Sequence, residues 1–187
     1  MKSTFFLDRD GVINTNRFVN TDADFQFMKG SIEAISTLTA HGHPLFIVTN
    51  QGGIEAGYLS ESTLDEIHAH MLYDIEMEGG RIEKIYVCPH LKVACECRKP
   101  KPGMLHQAEA EFDINLSNAY FVGDYITDWQ AALAAGVTPI AVRTGRYTEP
   151  NAKDFSEQNQ IRTFDNLLDV AKVLGGSQPF SSHRVIS

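Results

Sequence analysis

Two aspartates one residue apart, Asp8 and Asp10, follow a short apolar run, Thr4–Leu7, and precede Gly11. At the end of a strand, such a pair brings two carboxylates within reach of one point. One can attack phosphorus as a nucleophile. The other can protonate the departing alkoxide and then activate water. Gly11 would let the chain turn away tightly behind them. An Asx-type turn would use the same residue types, so the pair alone leaves both readings open.

Three further clusters have compatible chemistry. Thr49-Asn50-Gln51-Gly52-Gly53 offers a hydroxyl, amide side chains and unencumbered N–H groups, suited to a phosphate cradle or to an ordinary strand-to-helix loop. In Gly123-Asp124-Tyr125-Ile126-Thr127-Asp128, Asp124 could hold Mg²⁺ through oxygen. Asp128 could stand behind it, or simply complement a helix N-terminus. Arg98-Lys99-Pro100-Lys101-Pro102 is a tight basic cluster ahead of a predicted helix, so it reads as an anion site or as a solvated loop.

All three cysteines lie between Cys88 and Cys97, in the pattern Cys88-x-His90-x4-Cys95-x-Cys97. Four soft or borderline ligands in ten residues suit a tetrahedral Zn²⁺ of the Cys3His type. An odd, clustered count does not fit a secreted disulfide framework and points to a reducing compartment. With four protein ligands no position remains for substrate. The expected zinc site is structural, and it pins the loop that carries Arg98 and Lys99.

The elements that must position these groups alternate. Apolar runs at Thr4–Leu7, Leu45–Val48, Ile85–Val87, Ala119–Val122, Pro139–Val142 and Ile161–Phe164 read as strands. Helical spacing marks Ser31–His41, Glu61–Glu78, Pro102–Phe112, Asp128–Ala135 and Asn166–Leu174. This pattern predicts an α/β fold, a doubly wound parallel sheet covered on both faces. Ligands bind such sheets beyond the carboxyl ends of the strands, where the Asp8, Thr49 and Asp124 clusters all fall. The short connections leave little room for a cap domain. A single domain over residues 1–175 is expected, with a loose polar tail over 176–187. His41, His43, His68, His70, His106 and His183 have no motif partners and read as surface or core-edge residues.

The 187 residues hold 16 Lys and Arg against 24 Asp and Glu, a formal charge of −8. That balance argues against a general nucleic-acid or anionic-membrane binder. A phosphate-bearing ligand must then be held by a local cationic pocket or by a metal. No apolar stretch reaches the roughly 18 residues a membrane span needs, and the N-terminus lacks signal-peptide character. The cytoplasm is the expected compartment, and a monomer the expected state.

Taken in order, Asp8-x-Asp10-Gly11-Val12, Thr49-Asn50, Lys99 and Gly123-Asp124-x-x-x-Asp128 resemble the haloacid dehalogenase superfamily of aspartate-nucleophile phosphatases. The resemblance spans roughly residues 4–145. It implies a Rossmann-like fold with Asp8 as nucleophile and Asp10 as general acid/base. Thr49 and Lys99 would hold the transferred phosphoryl group. Mg²⁺ would be bound by Asp8, the Asp10 carbonyl and Asp124. The Cys88–Met104 segment is similar to that of the D-glycero-D-manno-heptose 1,7-bisphosphate phosphatases, and a related loop occurs in histidinol-phosphate phosphatase domains. The first likeness implies release of the 7-phosphate to give heptose 1-phosphate, in surface-glycan precursor synthesis. Arg98 would then recognise substrate, while Asn16, Arg17, Phe18, Asn50, Gln51, Gly52 and Tyr125 would line its pocket. Histidinol-phosphate hydrolysis, and a catalytically silent phosphosugar- or zinc-binding module, are the alternatives. The chain departs from the heptose pattern in its short zinc loop, in Gly52 where Ser is common, in Glu55-Ala56 where Arg is frequent, and in Tyr125 where Lys or Arg is frequent.

Overall fold

The computed structural model describes residues 2–176. Six strands form one fully parallel sheet: β1 (Thr4–Leu7), β2 (Leu45–Asn50), β3 (Lys84–Cys88), β4 (Ala119–Gly123), β5 (Thr138–Val142) and β6 (Arg162–Phe164). Their spatial order is β3-β2-β1-β4-β5-β6. The order reverses beside β1, so a crevice opens between the loops that follow β1 and β4. Six helices complete the alternation: α1 (Ser31–Ala40), α2 (Glu61–Met77), α3 (Gly103–Phe112), α4 (Ile126–Ala134), α5 (Pro150–Gln158) and α6 (Leu167–Leu174). Among the described residues no further domain is inserted between the strands.

Strand side chains alternate between faces, and the core divides accordingly. Phe5 and Leu7 of β1 and Leu45 and Ile47 of β2 pack with Ile35 and Leu38 of α1, Met71 and Ile75 of α2 and Val170 of α6. Phe6, Phe46, Val48 and Phe121 face the other way, onto Met104, Leu105 and Ala108 of α3 and Ala131 and Ala132 of α4. Trp129 of α4 stacks on Phe155 of α5 and donates its indole N–H to Gly123 O at 3.2 Å.

Several boundaries differ from those expected. β2 runs two residues past Val48, because its parallel pairing continues as Thr49↔Val87 and Asn50↔Cys88. α4 begins at Ile126 rather than Asp128, since the Asp128 carboxylate accepts the Tyr125 N–H and closes a turn before it. α5 had no counterpart in the sequence reading. Its sequence, PNAKDFSEQ, is mostly polar and buries only Ala152 and Ser156 fully, so it lacks an apolar stripe. Pro150 at its first turn was the available signal. Of the expected tail, residues 177–187 lie outside the described residues, as does His183. No helix among the described residues is long and apolar enough to cross a membrane.

Leu38, fully buried between α1 and the sheet, tests this packing. Leu38→Ala should cost about 2–5 kcal/mol in urea unfolding, while leaving the activity of the folded fraction unchanged.

Candidate active site

Lys99 enters the crevice from the loop between β3 and α3 and is almost wholly buried. An ammonium carries three donors, and all three are used: Asp8 Oδ1 at 2.8 Å, Asp128 Oδ1 at 2.7 Å and Val48 O at 2.9 Å. The Asn50 side chain brackets the same residue, accepting from Lys99 N–H and donating to Lys99 O, each at 3.1 Å. Asp128 divides its carboxylate, one oxygen on Lys99 and the other on the Tyr125 N–H, which closes the first turn of α4.

Asp124 joins this group, and carboxylate oxygens of Asp8, Asp124 and Asp128 lie within 4.8 Å of one another. One buried ammonium thus faces three buried carboxylates. Burial, then the Asp128 charge, pushes Asp8 well above the ordinary carboxylate range. The same two causes push Asp124 up to about 7, although its Oδ2 accepts the Arg146 N–H at 2.6 Å. Lys99 is held above its ordinary range, because Asp128 and Asp8 outweigh the opposing effect of burial. The Asp124 carboxylate rests against Gly11 and Gly145, both in the left-handed region; a Cβ added to either would lie about 2 Å from its Oδ2. Clustered hard oxygen donors with uncompensated negative charge suit a divalent cation.

Asp10 is only partly buried, and four donors hold it. Its Oδ1 accepts from Arg9 Nε (3.1 Å), Arg9 Nη2 (2.9 Å) and Asn14 Nδ2 (3.0 Å). Its Oδ2 accepts from Gln51 Nε2 at 2.9 Å. Gln51 also donates to Thr49 Oγ1 at 2.8 Å. Thr49 is fully buried and supports Gln51 from behind without bordering the open cleft.

The cleft encloses about 880 Å³. Asp8, Asp10, Asp124 and Lys99 form its floor; Arg17, Phe18, Asn50, Gln51, Gly52, Tyr58, Leu91, Arg98, Tyr125 and Arg146 border it. Asn16, expected among these, does not border the cleft. Its Nδ2 donates to Asp24 O at 2.5 Å and its carbonyl accepts from Asn14, so it shapes the loop that carries Arg17 and Phe18.

Cys88, His90, Cys95 and Cys97 converge, with ligand atoms within 4.8 Å of one another. The closest pairs are Cys88–Cys97 at 3.1 Å, His90 Nδ1–Cys97 at 3.3 Å, His90 Nδ1–Cys88 at 3.7 Å and Cys88–Cys95 at 3.8 Å. Zn–S bonds of about 2.3 Å give a tetrahedral edge of about 3.8 Å, so the donor set fits such an ion. Arg98, directly after Cys97, donates to His90 O at 2.6 Å and is thereby tied to the cluster.

Residues 96–170 match the HAD-hydrolase-like family model. The D-glycero-alpha-D-manno-heptose-1,7-bisphosphate 7-phosphatase of Campylobacter jejuni is 41% identical over 88% of this chain and 96% of its own. The corresponding beta-anomer enzyme of Pseudomonas putida is 39% identical over 90% and 97%. This chain belongs to the heptose-1,7-bisphosphate 7-phosphatase family. A family structure from B. bronchiseptica, complexed with magnesium and phosphate, superposes with a TM-score of 0.84 at 35% identity, covering 93% of this chain and 98% of that one.

Within the family, the departures noted in the sequence have local explanations. A Cβ on Gly52 would lie 3.1 Å from Leu91 Cβ and 3.2 Å from Arg98 Nη1, so a serine there would require those side chains to give by a few tenths of an ångström. Glu55 is not an orphaned substitution: its carboxylate accepts the N–H groups of Leu91, Lys92 and Val93 at 2.6–3.2 Å. Beside Tyr125, the cation comes from another loop. Arg146 lies 3.2 Å over the Tyr125 ring centre and is held by two bonds to Glu149. Arg146 was missed in the sequence, although Arg143-Thr144-Gly145-Arg146 also follows a strand's carboxyl end. His68, read there as a surface or core-edge residue without a motif partner, is buried against Arg9.

The raised carboxyl groups set a pH dependence. Between about pH 4 and 7 the folded, cation-free protein retains a proton on Asp124 that the unfolded chain releases, and burial shifts Asp8 in the same direction. Stability from this source is complete below about pH 4 and is lost as pH rises through that window, by up to about 1.4 kcal/mol per pH unit for each proton. His68, pushed down to about 3 by burial and Arg9, works in the opposite direction below about pH 6.5. In buffer free of divalent cations, the unfolding free energy of the wild type should therefore rise relative to that of Asp124→Asn as pH falls from 8 to 5. The His68 contribution is common to both proteins and cancels in that comparison.

Proposed function

We propose that this protein hydrolyses the 7-phosphate of D-glycero-D-manno-heptose 1,7-bisphosphate, releasing heptose 1-phosphate and inorganic phosphate. The observation that carries this reading is the Asp8–Lys99–Asp128–Asp124 constellation at the floor of an open cleft, in a chain about 40% identical to enzymes of that activity along most of their length.

Asp8 Oδ attacks phosphorus and forms an aspartyl-phosphate. Lys99 neutralises part of the charge on Asp8, easing the approach of a carboxylate to a phosphate dianion. Asp10 donates a proton to the departing sugar oxygen, then accepts one from the water that cleaves the acyl-phosphate. Lys99 supports the transferred phosphoryl group, and Thr49 acts from behind the cleft wall by holding Gln51. Arg98, Arg17 and Tyr125, which border the cleft together with Asn50, Gln51, Gly52 and Phe18, would contact the sugar. Asp8, the Asp10 carbonyl and Asp124 would hold Mg²⁺, which supplies Lewis-acid stabilisation of charge on the phosphoryl oxygens. Cys88, His90, Cys95 and Cys97 would hold Zn²⁺ in a structural role. The substrate is a small phosphorylated sugar, and the enzyme is read as a monomer acting in the cytoplasm.

Phosphate release with Mg²⁺ tests the reading, using both heptose bisphosphate anomers and histidinol phosphate. One heptose anomer should exceed histidinol phosphate by at least about 100-fold in kcat/KM, or about 2.7 kcal/mol of transition-state binding. Asp8→Asn should abolish turnover. Preference for histidinol phosphate would reassign the substrate; binding without turnover on all three would restore the silent-module reading.

The metal loop has its own test. Elemental analysis should find one zinc per chain, and Cys97→Ser should lower both zinc content and thermal stability. Full zinc loss with unchanged melting would sink the structural role.

A further inference from the structure

Arg9 stands between the two aspartates of the first motif and is completely buried, a costly place for a guanidinium without partners. It has two. Nε and Nη2 both contact Asp10 Oδ1, while Nη1 lies 3.1 Å from Nε2 of His68, 59 residues away on α2. Arginine is only ever a donor, so His68 Nε2 accepts and its proton sits on Nδ1. Burial and the Arg9 charge both favour that neutral ring. His68 therefore anchors the far end of the guanidinium, and α2 in turn is anchored in the core through Leu64, Ile67, Met71 and Ile75.

The two oxygens of Asp10 are unequal as a result. Oδ1 has three donors, two of them from the Arg9 guanidinium; Oδ2 has the single amide of Gln51. Oδ2 is left as the oxygen able to exchange a proton with substrate or water.

Resting on the phosphatase reading above, we propose that His68 and Arg9 are positioning residues: His68 locks the Arg9 fork, and the fork orients Asp10 for proton transfer to the leaving group. The pair need not touch substrate. In the first half-reaction, the one kcat/KM reports, its effect falls on the protonation of a poor leaving group.

That restriction separates positioning from mere packing. A sugar alkoxide needs a proton as it departs, whereas p-nitrophenolate leaves without one. The measurement is kcat/KM, which reports phosphoryl transfer to Asp8, for the sugar bisphosphate and for p-nitrophenyl phosphate with wild type, His68→Ala and His68→Gln. His68→Ala should lose about 10- to 100-fold on the sugar ester, part of the total that general acid catalysis supplies, and less than about threefold on the aryl ester. His68→Gln keeps an acceptor near Nε2 and should recover most of the loss. If His68→Ala does not fold, Arg9→Lys, which keeps the charge and loses the fork, gives the same comparison. Equal losses on both esters, or no advantage of Gln over Ala, would overturn the assignment. Wild-type protein that hydrolyses neither ester would overturn the phosphatase reading itself, and this assignment with it.

Discussion

The site depends on one buried nitrogen. Among the described residues, Lys99 Nζ is the only ammonium at the carboxylates of Asp8, Asp124 and Asp128, and each of its three protons has an acceptor. Removing a buried partner of this kind leaves uncompensated charge in a medium that solvates it poorly. Much of the surrounding structure keeps that nitrogen in place. Asn50 clamps the Lys99 backbone, Phe121 lies beneath the ammonium, and the cysteine–histidine cluster ends one residue before Arg98. The balance is deliberately incomplete in chemical terms: a fully neutralised floor would have no affinity for a cation, and an unneutralised one would repel phosphate.

The division of labour follows from the sheet. Its two packed faces are closed by α1, α2 and α6 on one side and by α3, α4 and α5 on the other, so chemistry is confined to the rim. The carboxyl ends of β1, β2, β4 and β5 then contribute Asp8 and Asp10, Asn50 and Gln51, Asp124, and Gly145 with Arg146. Rigid strands fix the reacting groups. The loops beyond them, which are freer to vary, shape the mouth.

This partition also explains what was legible in the sequence. Asp8, Asp10, Asp124, Lys99 and the four cluster residues could be read because each group is local, a few residues at a strand end or within one loop. The α/β alternation was legible for the same reason, through apolar runs and helical spacing. His68 was not, because its meaning lies in a partner 59 positions away, and a lone histidine on a helix looks like any other. Asn16 carried the right chemistry for a pocket but is engaged by its own loop. α5 escaped because a helix that buries so little leaves almost no periodic trace.

Glu55 links two stretches of chain that nothing in their spacing would connect. One carboxylate gathers three successive N–H groups at the apex of the cysteine loop, and Gly52 on the same segment leaves room for Leu91 and Arg98. The loop that lines the cleft and the loop that carries the cysteines are therefore a single mechanical unit. A change of length or residue in 90–97 alters what is tolerable in 51–58, and the reverse. The shape of the cleft mouth is thus set in part from the cysteine loop, through backbone bonds rather than through any side chain that faces substrate.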